Sequence, residues 1–199
     1  VNGFTTEDKV LCKNGMQKDD VLILTKPLGS GTLLAADMRS KASHSNIQGA
    51  LNAMAISNQE ASSILVKLKA TACTDITGFG LAGHLLEMLA KDRIEVSINL
   101  DDIPIMDGAV NSLKQGIFSS LHEDNRTVSS YISSHSNLSK MPKYEILFDP
   151  QTSGGLLASI SSDLAEICVN QLIGAGYQST RIIGRVLCSN TEEPKIIIE

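Results

Sequence analysis

The stretch TDITGFGLAGH, residues 74–84, bears on both the fold and the function, because its glycines fit two different kinds of site. Three of them stand in the order G-x-G-x-x-G. In a dinucleotide-binding unit, such a string follows an apolar strand, opens a helix and precedes an acidic residue about 20 positions further on. An apolar run begins at Leu81. Asp101 and Asp102 follow the last glycine by 18 and 19 residues, so two of the three conditions are met.

The residues before the first of these glycines do not meet the remaining condition. Three of the five residues CTDIT, 73–77, are polar, whereas a central parallel strand is almost wholly apolar. An aspartate buried there without a partner would cost several kcal/mol. A long predicted helix lies upstream, so the order of strand and helix is out of phase. The sequence therefore disfavours a dinucleotide site.

Asp75, which stands just before these glycines, indicates a different chemistry. A carboxylate is the hard oxygen ligand that Mg²⁺ prefers, usually together with waters and substrate phosphates. Glycines after it let the backbone approach a phosphate, and the helix N-terminus favours an anion. The alternative is that Asp75 only caps the turn, and the spacing alone does not decide between the two.

Composition narrows the classes of function. The 199 residues carry a net charge of −5, which leaves no basic surface for nucleic acid. No apolar run approaches the roughly 18 residues of a membrane span, and no signal peptide is visible, so we expect a cytoplasmic protein without membrane or nucleic-acid partners. The four cysteines lack C-x-x-C spacing and predict neither a zinc site nor a disulfide framework. The opening VNGF, without methionine, favours a piece of a longer protein.

Apolar patterning predicts strands that alternate with helices. The strands are expected at 21–24, at 96–100, at two places within 144–160 joined by a turn, at 181–187 and at 195–198. The helices are expected after Gly29 with Ser30 or Thr32 as N-cap, over 49–69, 81–91 and 106–116, and after an N-cap at Ser161 or Ser162. This order predicts an α+β fold, an α/β sandwich whose mixed sheet is packed with helices.

Residues 117–143 break this pattern. They hold eight serines, His122 and His135 among isolated apolar residues. We expect a partly helical excursion or a long loop, and a mobile surface insertion is the alternative.

Three blocks together resemble a known family. They are LTKPLGSG (24–31), TDITGFGLAGH (74–84) and DPQTSGGLL (149–157). In this order they resemble the C-terminal half of selenophosphate synthetase, also called selenide, water dikinase, within the superfamily typified by aminoimidazole ribonucleotide synthetase. The similarity runs from about Asn2 to the end of the chain.

The resemblance implies a two-domain enzyme. Such enzymes use an N-terminal domain for ATP and for dimerisation, and a C-terminal α/β domain that covers the site. The implied reaction converts ATP, selenide and water to selenophosphate, AMP and phosphate, with Mg²⁺ required. Residues 1–19 would then be the end of the N-terminal domain or a connector, and residues 20–199 the C-terminal domain. The full-length protein is expected to be a homodimer.

The resemblance also assigns residues. The family's Mg²⁺-binding aspartate falls on Asp75, and Thr74, Thr77 and Gly78 would shape the loop that binds metal and nucleotide. No catalytic residue is expected in this chain, because the family's nucleophile, lysine and other aspartates lie further N-terminal. The K-P-L-G and T-S-G-G turns match the family without an assigned task. Lys26 is not expected to be catalytic.

Some features leave the function open. The stretch HEDNRTV around Asn125 lacks glycines that often precede this asparagine in relatives, which puts a substrate contact there in doubt. The four histidines show no metal spacing, and His84 is expected to be structural. Two rivals remain: another ATP-using enzyme of the superfamily that acts on a purine or thiamine precursor, and a non-catalytic interaction domain. We expect the chain to be inactive in isolation.

Overall fold

The structure is a computed structural model that describes residue 6 and residues 10–90, 94–134, 137–188 and 195–199. Its strands are β1 (Val21–Leu24), β2 (Ala72–Asp75), β3 (Ile94–Ile98), β4 (Ile132–Ser134), β5 (Leu156–Ile160), β6 (Arg181–Cys188) and β7 (Lys195–Ile198). Within the described residues they form one sheet in the order β2-β5-β1-β6-β3-β7-β4. Strand β7 pairs in parallel with β3 and β4, and the other pairs are antiparallel. The predicted mixed sheet is confirmed.

Helices pack on both faces of this sheet. They are α1 (Ser30–Met38), α2 (His44–Ala55), α3 (Gln59–Lys67), α4 (Gly80–Leu89), α5 (Ala109–Lys114), α6 (His122–Arg126) and α7 (Ala165–Gly174). Because side chains alternate along a strand, Leu22 and Leu24 of β1 join the core beneath α4, whereas Ile23 joins the core beneath α3 and α7. None of the described helices has the length and hydropathy to cross a membrane.

The long helix predicted over 49–69 is in fact two helices, α2 and α3. The ammonium group of Lys26 donates a hydrogen bond to the carbonyl oxygen of Ile56. The hydroxyl group of Tyr177 donates to the carbonyl oxygen of Ser57 at 2.6 Å. These distant side chains satisfy backbone groups that the break frees, so the chain turns although the apolar spacing continues.

The first strand predicted within 144–160 is also wrong. Its place is taken by a 3₁₀ helix, Pro142–Phe148, and only β5 follows as a strand. Pro142 has a fixed φ and no N–H group, which suits the first position of a helical segment. Phe148 is fully buried in the core, and a short apolar run of this kind does not distinguish strand from helix.

Strand β2 was not expected from the sequence. It lies at one edge of the sheet and pairs antiparallel with β5, so the polar residues before the glycine string belong to an edge strand rather than to a dinucleotide-binding unit. On the other side of β2, the backbone N–H of Cys73 donates to the carbonyl oxygen of Cys12 at 2.7 Å. The segment around Cys12 therefore covers part of this edge.

The serine-rich region, residues 117–143, is largely folded in its described part. It contains α6, a 3₁₀ turn at Thr127–Tyr131 and β4, which pairs with β7 at the other edge of the sheet. The expected helical content is confirmed, whereas the strand was not expected. His135 lies outside the described residues.

The predicted N-caps of α1 are wrong. The N-cap is Gly29, and no side chain caps the helix. The hydroxyl group of Ser30 instead donates to the side-chain oxygen of Gln151 at 3.1 Å. The hydroxyl group of Thr32 donates to the carbonyl oxygen of Ile117 at 2.7 Å. Both hydroxyls serve tertiary contacts, which sequence spacing does not reveal.

The predicted N-cap of α7 is wrong as well. A 3₁₀ turn, Ser162–Leu164, precedes the helix, and Leu164 takes the N-cap position. Ser161 stands one residue before that turn and makes no side-chain cap. The extra turn separates both candidate serines from the first residues of α7.

Candidate functional site

Asp75 is the last residue of β2, and its side chain is exposed. Beside it, residues 149–157 contact two other blocks that are far away in sequence, residues 24–31 and 74–84. Residues 24–31, 74–80 and 149–155 come together at one place, and we call this place the junction. Most hydrogen bonds within the junction join two backbone groups, or a backbone group and a buried side chain.

The turn after Asp75 is fixed by the 149–155 loop. The N–H of Ile76 donates to the carbonyl oxygen of Gly155 at 2.9 Å, and the N–H of Gln151 donates to the carbonyl oxygen of Thr77 at 2.9 Å. Two peptide groups of the turn are thus bonded to one loop. The Asp75 backbone is therefore followed by a defined turn rather than a free loop.

Asn125 of α6 fixes the next residue of the same turn. Its side-chain amide donates to the carbonyl oxygen of Gly78 at 2.7 Å and to that of Phe148 at 3.0 Å. Asn125 is buried. It acts in this chain as a brace for the turn, a role that the sequence argument did not assign. The sequence argument considered Asn125 only for a substrate contact, which it left in doubt.

Gln151 joins the parts of the junction through its side chain. Its Oε1 accepts hydrogen bonds from the backbone N–H groups of Gly29 and Ser30, at 3.0 and 3.2 Å. Its Nε2 donates to the carbonyl oxygen and to the carboxylate of Asp149, at 2.8 and 2.9 Å. Because its backbone N–H also bonds the 74–80 turn, Gln151 contacts all three segments. Sequence reasoning missed this residue.

Glycines allow the backbones at the junction to touch. A Cβ atom on Gly154 would lie 2.1 Å from the carbonyl oxygen of Ile76, and one on Gly31 would lie 2.3 Å from that of Pro150. Distances this short mean that no side chain fits at either position. The T-S-G-G and P-L-G-S-G sequences thus have a structural reason, which is close approach between segments.

His84 connects the turn to helix α4. The N–H of Thr77 donates to Nε2 of His84 at 3.0 Å, and Nδ1 of His84 lies 3.1 Å from the carboxylate of Glu87. Glu87 also accepts a hydrogen bond from Lys13 at 2.9 Å. Its hydrogen bond with Lys13 is the main cause that lowers the pKa of Glu87. The imidazole is 4% exposed, so the expectation of a structural histidine fits this environment.

Asp149 is buried and lies next to the first residues of α1. Burial raises the pKa of its carboxyl group from 3.8 to about 7. The hydrogen bond from Gln151 and the N–H groups of Thr32 and Gly31 act in the opposite direction. A carboxyl group whose charge is disfavoured therefore lies within the junction.

Two groups that could supply nucleophilic or acid–base chemistry are not available for it. The Lys26 ammonium is buried, donates to the carbonyl oxygens of Ile56 and Ser153, and has its pKa lowered by burial. Burial, with a smaller effect of the Asp75 charge, raises the pKa of the Cys73 thiol to about 12. Lys26 holds segments together, and Cys73 remains a protonated core residue.

The structure places the other predicted site residues around Asp75 in different environments. Thr74 is buried, and its hydroxyl group donates to the carbonyl oxygen of Asp75 at 3.4 Å. Thr77 and Gly78 are half-buried in the turn. Their contact with a nucleotide stays a prediction.

Asp75 fits Mg²⁺ only as one ligand among several. No cluster of three or more acidic, histidine or cysteine side chains that could hold a metal occurs within the described residues. An exposed carboxylate on a fixed turn nevertheless matches the usual Mg²⁺ environment, in which one or two carboxylates combine with waters and phosphates. The remaining ligands would have to come from outside the described chain.

A groove of about 480 Å³ lies next to the turn. Helix α4 forms one wall, and residues 124–128 form the other. Phe79, which follows Gly78, lines the groove and is 58% exposed. A second cavity of about 640 Å³ lies beside Lys26, and Asp75 lines neither of the two. Asp75 is exposed at the end of β2.

Comparison with known families gives the assignment. A model described as AIR synthase related protein, C-terminal domain, matches residues 17–196. The chain belongs to this family. The membership accounts for the junction, because the three blocks that build it lie within the matched residues.

Curated relatives from this family share a name. The selenide, water dikinase of Treponema denticola is 36% identical over 174 residues, which are 86% of this chain and 48% of the relative. Selenide, water dikinase 2 of Peptoclostridium acidaminophilum is 34% identical over 199 residues, which are 100% of this chain and 56% of the relative. The resemblance noted in the sequence is confirmed. The chain spans about half the length of the curated relatives it matches.

Solved structures show the same fold. The thiamine-monophosphate kinase of Stenotrophomonas maltophilia K279a superposes with a TM-score of 0.62 at 14% identity, covering 94% of this chain and 53% of that one. The hydrogenase maturation protein HypE, in complex with ATP, gives 0.67 at 14% identity, covering 93% of this chain and 47% of that one. The predicted α+β class of the family's C-terminal domain is thereby confirmed.

Proposed function

We propose that this chain is the C-terminal half of a selenide, water dikinase and that Asp75 supplies one Mg²⁺ ligand at its ATP site. The observation that carries the proposal is the exposed carboxylate of Asp75 at the start of a turn that residues 149–155 and Asn125 hold in place. The names of the curated relatives, at 33–36% identity, support the substrate class. The solved relative that contains ATP supports a nucleotide site in this fold.

The chain's own residues perform positioning in this proposal. Phosphoryl transfer depends mainly on orientation and on neutralisation of charge. A Mg²⁺ ion supplies the charge that neutralises the ATP phosphates and screens the developing negative charge. Asp75 offers an exposed oxygen ligand, and Thr77 and Gly78 present the turn beside it. No nucleophile or proton-transfer group for the reaction is assigned to this chain, because Lys26 and Cys73 are buried.

The rest of the enzyme lies outside this chain in the proposal. An N-terminal half would bring ATP, selenide and the remaining carboxylates, and residues 1–19 would connect it to the domain of residues 20–199. The full-length protein would be a cytoplasmic homodimer that releases selenophosphate, AMP and phosphate. This chain alone would have no dikinase activity, since it would hold a single metal ligand.

The test compares two aspartates in the protein that joins this chain to its N-terminal half. We expect Asp75→Asn to lower ATP- and selenide-dependent formation of AMP by about 100-fold or more, since loss of a metal ligand also misplaces the phosphates. Asp163→Asn is the matched control, because Asp163 is an exposed aspartate on the turn before α7. Circular dichroism and urea unfolding should show that both variants fold.

Two outcomes would contradict the proposal. Wild-type turnover of Asp75→Asn would reduce Asp75 to the role of a cap on the turn. Dikinase turnover by this chain alone would show that it holds a complete site. Substrate profiling of the joined protein with thiamine monophosphate in place of selenide tests one of the two rivals, and turnover there would move the chain to another activity of the family.

A further inference from the structure

We propose that His84 is a positioning residue of the candidate metal site, and that Glu87 sets the tautomer in which it works. The N–H group of Thr77, two residues after Asp75, donates to Nε2 of His84 at 3.0 Å. The proposal rests on the proposed role of Asp75. It extends that role to a buried side chain that touches neither metal nor substrate.

The hydrogen bonds require one tautomer of His84. Because a backbone N–H can only donate, Nε2 must carry a lone pair rather than a proton. A neutral imidazole then carries its proton on Nδ1, which lies 3.1 Å from Oε2 of Glu87 and donates to that carboxylate. The carboxylate on one side and the peptide on the other thus select the same form of the ring.

Glu87 is suited to hold this tautomer. Its Oε2 also accepts from Lys13 at 2.9 Å, and this bond is the largest of the effects that keep the pKa of Glu87 low. An ionised carboxylate accepts hydrogen bonds and donates none. Glu87 therefore presents only an acceptor to Nδ1, which excludes the tautomer that would place an N–H against the Thr77 peptide.

Within the described part of the chain, His84 is the group that bonds the backbone N–H of Thr77. The carbonyl oxygens of Thr77 and Gly78 are bonded by Gln151 and Asn125. The N–H of Thr77 is bonded by His84, whose ring is buried and packs 5.5 Å from the ring of Phe79. Loss of the bond would free the Ile76–Thr77 peptide, which is one peptide removed from Asp75, to rotate. The expected consequence is a misplaced Asp75, not an unfolded domain.

Two substitutions separate the two nitrogens. In His84→Gln the amide oxygen reaches the position of Nε2 and can accept from Thr77. In His84→Asn the shorter amide reaches only the position of Nδ1, so the bond to Thr77 is lost while the contact with Glu87 is kept. Both replacements are polar amides of similar size, so their difference reports the Thr77 contact rather than the loss of a ring.

The first experiment uses this chain and needs no activity. Long-range ¹H–¹⁵N spectra of the wild type should show His84 with its proton on Nδ1, and amide exchange at Thr77 should be slow. We expect His84→Asn to speed exchange at Thr77 by about tenfold or more, and His84→Gln to stay within about threefold of wild type. A proton on Nε2, or equal exchange in the two variants, would overturn the proposal.

The second experiment uses this chain joined to its N-terminal half. We expect His84→Asn to raise the Mg²⁺ concentration needed for half-maximal turnover by about 10- to 100-fold, with His84→Gln close to wild type. A purely structural histidine would make both variants lose stability without this split. If the wild type shows no dikinase activity while the tautomer and exchange results hold, the proposed function fails and the positioning contact stands.

Discussion

The junction and the outer helices use glycine in opposite ways. At the junction, a Cβ atom on Gly31 or Gly154 would come within 2.3 Å of a backbone oxygen. On α2 and at the end of α7, a Cβ atom on Gly49 or Gly174 would meet nothing within 4 Å. The first pair is required by contact between segments, whereas the second pair lies at open surface.

This difference explains where the family resemblance is concentrated. The blocks 24–31, 74–84 and 149–157 are specific because backbone touches backbone there, and few residues fit. The outer faces of α2 and α7 only need to be polar outside and apolar inside, which many sequences satisfy. The junction is therefore the part of the molecule where single substitutions should have the largest effects.

A stable Gly154→Ala variant would contradict the contrast between the junction glycines and those on the outer helices most clearly. We expect this variant to lose more than about 4 kcal/mol of the free energy of unfolding, or not to fold, because the new methyl group would overlap the carbonyl oxygen of Ile76. Gly174→Ala is the control, and it should be neutral or stabilising by up to about 1 kcal/mol, since alanine favours the helix. Urea unfolding of this chain measures both. Equal effects of the two substitutions on the free energy of unfolding would mean that the junction can accommodate a methyl group.

A second test uses pH and the buried carboxyl group of Asp149. Its pKa in the folded chain is about 7, compared with an ordinary value of 3.8. Between these two pH values the folded state keeps a proton on Asp149 that the unfolded state has lost. The contribution of this protonated carboxyl group to the free energy of unfolding is therefore complete below pH 4 and is lost as the pH rises to 7. The free energy of unfolding of the wild type, minus that of Asp149→Asn, should fall by at most about 4 kcal/mol over this range. A difference that stays constant, or rises, contradicts the prediction.

A third test compares two glutamines, one at the junction and one on an outer helix. Gln151→Ala leaves several buried hydrogen-bonding groups of the junction without partners, so we expect a loss of about 3 kcal/mol. Gln48 on α2 bonds only the exposed Asn52 in the structure as described, and Gln48→Ala should cost less than about 0.5 kcal/mol. Thermal unfolding of both variants checks the contrast. A loss with Gln151→Ala as small as that with Gln48→Ala would show that the junction does not depend on this side chain.

The sequence predicted elements well where an apolar run marks a buried strand or apolar spacing marks the buried side of a helix. Strands β1, β3, β6 and β7 and helices α4 and α7 follow that pattern, and all are present. The break between α2 and α3 was not predictable in this way. It depends on Lys26 and Tyr177, whose partners at residues 56 and 57 lie far away in sequence.

The candidate site was predicted only in part for a related reason. Asp75 stands out because a carboxylate before glycines at a helix start suits Mg²⁺ and a phosphate, and the structure places it on an exposed edge. The bracing roles of Gln151 and Asn125 were not predicted, because a buried amide acts through whichever backbone groups the fold brings to it. Their roles follow from tertiary contacts and not from local pattern.

The hydrogen bond between Cys73 and Cys12 has a practical consequence for handling this protein. An uncovered edge strand offers its free N–H and C=O groups to other chains and promotes aggregation. The segment around residue 12 occupies part of that edge on β2, next to Asp75. A shortened version that begins after Gly15 would uncover the edge. Such a version would be expected to self-associate through the strand that carries the candidate metal ligand.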